Sequence, residues 1–181
     1  MPIKVAHQIA IRLHSWCKRF LSGLVFCFIF SYSNVIMAQG IEVEQTHVKI
    51  SLSEEVQNAL ESGVNLTFVA SAAKRDTFLF FNWRTPYNKQ IFKIHRHTLS
   101  RHYIVHNSKQ NTQQSFSSLR MSLEHISQRS SAFFTQVNEE SIVGNFEACF
   151  KVHMDKFSLP TPMRINAFWS HEWDLDSGWQ P

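Results

Sequence analysis

Asn145-Phe-Glu-Ala-Cys-Phe-Lys-Val-His-Met-Asp155 alternates without a break. Phe146, Ala148, Phe150, Val152 and Met154 fall on one side, and Glu147, Cys149, Lys151, His153 and Asp155 on the other. A period of two belongs to a β-strand, and a single apolar side marks a strand with one face on a core and one toward water. Parallel sheets are covered on both faces and use strands that are apolar throughout, so the sheet expected here is antiparallel. The same pattern places Cys149 on the polar side, within reach of solvent or a neighbouring strand.

Working outward, Thr46 to Leu52 repeats the alternation, with Val48, Ile50 and Leu52 on one face. Ser53 then caps a short helix: Glu54 and Glu55 suit its positive N-terminus, Val56, Ala59 and Leu60 form a buried stripe, and Gly63 supplies the left-handed stop. Val64 to Ala72 alternates again. Ile91 to His97 and Tyr103 to His106 read as hairpin arms around Leu99 to His102, and Asn107 to Thr112 is a polar turn cluster. Ser117 or Ser118 opens a second helix with Leu119, Ser122, Leu123 and Ile126 at helical spacing. Residues 130 to 144 fit neither period cleanly. Pro160 and Pro162 predict an extended stretch. The expectation is an α+β fold, strand-dominated, an antiparallel sheet with two short helices; a β-sandwich is the alternative.

Ahead of this domain the chain changes character. Lys4, Arg12, Lys18 and Arg19 precede the apolar run Phe20–Tyr32, and Val35-Ile-Met-Ala38 ends on a small residue. That is the order of a secretory signal, so residues 1–38 are expected to be a signal peptide and residues 39–181 one periplasmic, exported domain. The alternative is an uncleaved inner-membrane anchor through residues 20–38, close to the roughly 20 residues that cross a bilayer. In both cases the domain faces outward. The chain has 18 Lys and Arg against 14 Asp and Glu, but four of the basic residues and none of the acidic ones lie in residues 1–38. Residues 39–181 are therefore electrically balanced and lack the basic footprint of a nucleic-acid binder. Cys17 and Cys27 fall in the N-terminal segment, leaving Cys149 without an intramolecular partner and expected to be an inert thiol.

Three groups of residues invite a functional reading. His95, His97, His102 and His106 crowd one hairpin, where imidazoles facing one another would suit zinc. No carboxylate lies in that hairpin, so the plainer reading is a set of polar side chains on its wet face; neither a metal nor another cofactor is expected. Thr77-Phe-Leu-Phe-Phe-Asn-Trp-Arg-Thr-Pro-Tyr87 gathers Phe78, Phe80, Phe81, Trp83 and Tyr87 beside Lys74, Arg75, Arg84 and Lys89. Exposed, these residues would meet a membrane surface or a membrane-protein partner; buried, Phe78 and Phe80 would extend the preceding strand, with a turn at Pro86. Trp169, Trp173 and Trp179 would stack on glycan rings or clamp the chain end to the sheet. Gly-x-Ser-x-Gly, His-Glu-x-x-His and phosphate-cradling glycine loops do not occur, so an enzyme is not expected.

Several short motifs add a family resemblance. Leu159-Pro-Thr-Pro-Met-Arg164 followed by Trp173-Asp-Leu-Asp-Ser-Gly-Trp179 resembles the C-terminal signature of DUF4390, a proteobacterial family of exported proteins of unknown function. Leu60-Glu-Ser-Gly-Val64, Leu99-Ser-x-x-Tyr103-x-Val105 and Phe116-x-Ser-Leu119 are similar to further pieces of it, in the same order, across about residues 42–179. The resemblance implies an exported protein with no catalytic residue to carry over, and an envelope partner such as a sensor-kinase-type membrane protein. The expected function is that of a non-enzymatic accessory or binding domain of the cell envelope, contacting its partner or the membrane through Phe78, Phe80, Phe81, Trp83, Arg84 and Tyr87.

Overall fold

The computed structural model describes residues 40–44, 46–78 and 81–181, with the backbone alone at 77, 78, 81 and 82. The expected signal peptide and its anchor alternative therefore lie outside the described residues. Strands β1 (Gly40–Glu44) and β2 (His47–Ser51) form an antiparallel hairpin in which Ile41 faces Ile50 and Val43 faces Val48. Helix α1 (Glu54–Glu61) comes next, capped as expected: the Ser53 hydroxyl accepts the Val56 N–H. Its far end is a left-handed stop at Gly63 (φ +92°), where the Gly63 N–H reaches the Leu60 carbonyl and the Val64 N–H that of Ala59, each at 3.0 Å. That double bond pattern satisfies two carbonyls the helix would otherwise orphan.

The main sheet comprises β3 (Leu66–Phe78), β4 (Phe81–Arg96), β5 (Tyr103–Asn107), β6 (Thr112–Phe116) and β7 (Glu147–Met154), in the order β6-β5-β4-β3-β7 and antiparallel at every pairing. Phe68, Ala70, Ala72, Phe92, Ile94, Val105, Phe150, Val152 and Met154 make its inner, buried face. Helix α2 (Leu119–Gly144) lies across that face, burying Ile126, Phe133, Phe134 and Val137, with the Phe134 ring 4.8 Å from that of Phe150. Ser131 accepts the Val48 N–H at 2.9 Å and ties the β1–β2 hairpin to the helix. The core is covered by a 26-residue helix with the two-stranded hairpin beside it, so the fold is α+β and the sandwich alternative does not hold.

Four expectations need correction. The second helix is not short: it runs 26 residues, taking in the ambiguous residues 130–144. Its apolar stripe continues through Phe133, Phe134 and Val137, but buried Ser122, Ser130 and Ser141 interrupt the pattern. A third helix, α3 (Thr161–Trp169), stands where an extended stretch was expected, with Pro160 at its N-cap and Pro162 in its first turn. Proline is tolerated there because the first N–H groups of a helix have no intrahelical acceptor. Pro86 does not make a turn; it sits inside β4 beside a bulge, where Asn88 faces Ala72 and Pro86 faces Ala73, leaving Tyr87 as the extra residue.

The fourth concerns Cys149, which is only 3% exposed. After a 3-10 turn at His171–Trp173, the chain returns antiparallel along the free edge of β7, with bridges His153↔Asp176 and Phe150↔Gln180. Trp179, next to Gln180, places its ring 6.0 Å from the Arg84 guanidinium on β4. The indole and the Arg84 side chain meet on the outer face of the sheet, where Cys149 and its pairing partner Ala73 are both buried. The polar side of β7 is closed to solvent at Cys149.

Candidate functional site

The β3–β4 hairpin outruns the sheet that holds it. β7 pairs with β3 only between Phe68 and Arg75, and β5 pairs with β4 only from Phe92 to Arg96. Among the described residues, no strand faces Phe81–Gln90 on the side away from β3. Trp83, paired with Asp76, is 67% exposed. Arg84 lies opposite Arg75, whose guanidinium meets the Glu147 carboxylate at 2.7 Å; that bond pushes the Arg75 pKa further up. Phe78 and Phe81 pair across the hairpin, and Phe80 lies outside the described residues.

At the base of the hairpin an open cleft of about 540 Å3 is lined by Lys74, Tyr87, Gln136, Glu140 and Phe146 among others. The bulge turns Tyr87 toward the C-terminal part of α2, where its hydroxyl donates to Glu140 at 2.9 Å; that hydrogen bond raises the phenol pKa. Gln136 donates to the other Glu140 oxygen at 2.9 Å. The Lys74 ammonium stands 4.4 Å from the Phe146 ring and 4.9 Å from that of Tyr87, and the two rings are 5.1 Å apart. A held carboxylate, a cation over aromatic faces and a neutral phenol suit binding; no nucleophile–base pair is assembled among these residues. Glu140 and Gln136 carry no signal in the sequence because they belong to residues 130–144, which fit neither period.

The histidines are less concentrated than their spacing suggests. His95 faces Ile104, and His106 faces Lys93. His97 and His102 occupy the exposed turn, where the Ser100 N–H meets His97 Nδ1 at 3.3 Å and His102 Nδ1 lies 2.8 Å from the Ser100 carbonyl. Among the described residues no three His, Cys, Asp or Glu side chains are grouped to hold a metal. The three C-terminal indoles also part company: Trp173 is 1% exposed in the core, Trp179 is half-buried over the outer face, and Trp169 is 86% exposed on α3. His153, beside the C-terminal strap, has its pKa lowered by burial and by Lys151, against the opposing pull of Asp176 and Asp155.

The structure thus defines a strand-dominated α+β domain with a projecting hairpin and an aromatic, mixed-charge cleft at its base. The chain matches the model of a family described as a domain of unknown function (DUF4390) over residues 34–181, and it belongs to that family. No curated protein matches it, and no solved structure does. Among the described residues, no helix is long and apolar enough to cross a membrane.

Proposed function

We propose that the chain is an exported, non-catalytic docking domain of the cell envelope, and that its β3–β4 hairpin receives an extracytoplasmic segment of a membrane-protein partner. The observation that carries this is the stretch of β4 from Phe81 to Gln90, unpaired on its outer side among the described residues, with Trp83 exposed on it. A free strand edge offers a row of N–H and C=O groups to an incoming strand, and an exposed indole is the kind of side chain that dominates such contacts. The bulge, Pro86 and Lys89 interrupt the edge and discourage indiscriminate pairing. Export is supported by the charged-then-apolar order of residues 4–38.

The test is a photo-crosslinker at position 83 of the full chain, expressed in its own cells, followed by binding of the purified adduct partner. A membrane protein captured through its extracytoplasmic domain, and bound at least about tenfold more weakly by Trp83→Ser at unchanged melting temperature, is expected. Adducts to lipid alone would assign the hairpin to the membrane surface. A partner that binds Trp83→Ser as tightly as the parent would refute the docking role.

A further inference from the structure

A second apolar surface lies at the other end of the sheet, away from the hairpin. Helix α3 buries Ala167 and packs Met163 against the core, yet presents Ile165, Phe168 and Trp169 outward, the last 86% exposed. Phe157, on the preceding 3-10 turn and 68% exposed, meets Phe168 edge-on with ring centroids 5.2 Å apart. These four side chains sit at i, i+3 and i+4 of one short helix and on the turn that leads into it. The helix is amphipathic in the sense of one that lies at an interface: small contacts toward the protein, large rings outward.

Where the chain enters the domain says what covers this face. Gly40 exchanges hydrogen bonds with the Ser51 side chain (3.1 and 3.0 Å). Two residues on, the Ser53 hydroxyl donates to the Glu172 carbonyl at 3.0 Å, and Ser170, directly after Trp169, donates to Glu55 at 3.4 Å. The start of the domain is thereby fastened to the segment that carries the aromatic patch. The residues attached just upstream of Gly40 include the apolar run Phe20–Tyr32, the part of the chain suited to a bilayer. The hairpin tip lies at the opposite end of β3, 13 residues and roughly 40 Å away.

We infer that α3 is a membrane-interface helix: Phe157, Ile165, Phe168 and Trp169 seat the domain on the phospholipid surface on which residues 20–38 deliver it. Aromatic rings are at home at the headgroup level, where an apolar body and a polar edge are both accommodated. In this orientation the hairpin points away from the bilayer, toward an extracytoplasmic partner. The inference concerns a different surface from the docking proposal.

The test is bromolipid quenching of tryptophan fluorescence, using the full chain with Trp16→Phe in vesicles of phosphatidylethanolamine and phosphatidylglycerol. Adding Trp169→Phe is expected to remove about half or more of the quenching, while adding Trp83→Phe leaves it in place. Quenching unaffected by Trp169→Phe overturns the inference. So does a Trp169 that neither bromolipid nor aqueous acrylamide reaches, which would put the patch against protein, in a second copy or a partner. If quenching instead tracks Trp83, the hairpin is the membrane contact; both this inference and the protein-docking role of the hairpin then fail together. Far-UV circular dichroism of each variant checks that the fold is retained.

Discussion

Trp169 and Trp173 are four residues apart and the structure puts them in opposite situations, so replacing each by alanine is a sharp test of the C-terminal architecture. Trp173 is 1% exposed, wedged in the core cluster with Leu159, Ala167 and Leu175. Truncating a buried indole costs about 3–5 kcal/mol through lost burial and the cavity left behind. A domain of this size has only about 5–15 kcal/mol in total, so Trp173→Ala stands to lose a large part of its stability. With a urea dependence of about 1–3 kcal/mol/M, the unfolding midpoint drops by roughly 2 M. The Trp173 indole nitrogen has no hydrogen-bond partner among the described residues, so Trp173→Phe, which keeps most of the volume, costs clearly less than alanine. Trp169, exposed on α3, is expected to change stability by no more than about 0.5 kcal/mol when truncated. Urea unfolding tracked by circular dichroism, at fixed pH and without lipid, measures all three variants. Equal losses at 169 and 173 would refute the reasoning, and a large loss at Trp169 would also remove the outward aromatic face on which the membrane inference rests.

Two further outcomes are expected from buried groups on β7 and its surroundings. The neutral form of His153 is favoured in the fold, so between its folded pKa and the unfolded value of about 6.5 the unfolded chain binds more protons. Stability is therefore expected to fall on acidification from about pH 7 to about pH 5, with His125 acting in the same direction through its own burial. His153→Gln should flatten that dependence in chemical denaturation; an unchanged slope would show that the imidazole contributes nothing. Cys149, buried on the outer side of β7, should resist iodoacetamide in the native protein and react fully in denaturant, and rapid native labelling would contradict that burial.

Local chemistry makes part of this fold readable in the sequence. The Ser53 cap, the acidic first turn and the Gly63 stop specify α1 within one segment, and the alternation of residues 147–154 needs only a period of two. The β4–β5 turn is equally legible, because His97 and His102 close it by a backbone hydrogen bond of 2.8 Å between the expected arms. The features that escape depend on contacts distant in sequence. β6 is exposed on nearly every residue, so Thr112–Phe116 carries no alternation to detect. Serines buried inside α2 hide its length, since a serine that bonds back to its own helix fills a core position without looking apolar; Ser122 does this to Leu119 and Ser141 to Asn138. Cys149 falls on the polar side of its strand, and alternation leaves open whether solvent or another segment meets it; the burial depends on contacts distant in sequence. Of the candidate contact residues, Trp83, Arg84 and Tyr87 stand out in the sequence as a group, but the partner of Tyr87 on α2 depends on a bulge that alternation alone does not reveal.

The strap formed by residues 175–180 has a consequence in time as well as in space. It occupies the outer edge of β7, and it draws Trp173 and Leu175 into the core. The sheet therefore cannot be sealed, nor its interior filled, until residues 173–180 have docked. With that segment undocked, β3, β4 and β5 are still free to pair, but one flank of the sheet stays unfinished. Completion waits for this segment to dock, and it acts as a latch on a sheet whose other strands are already paired.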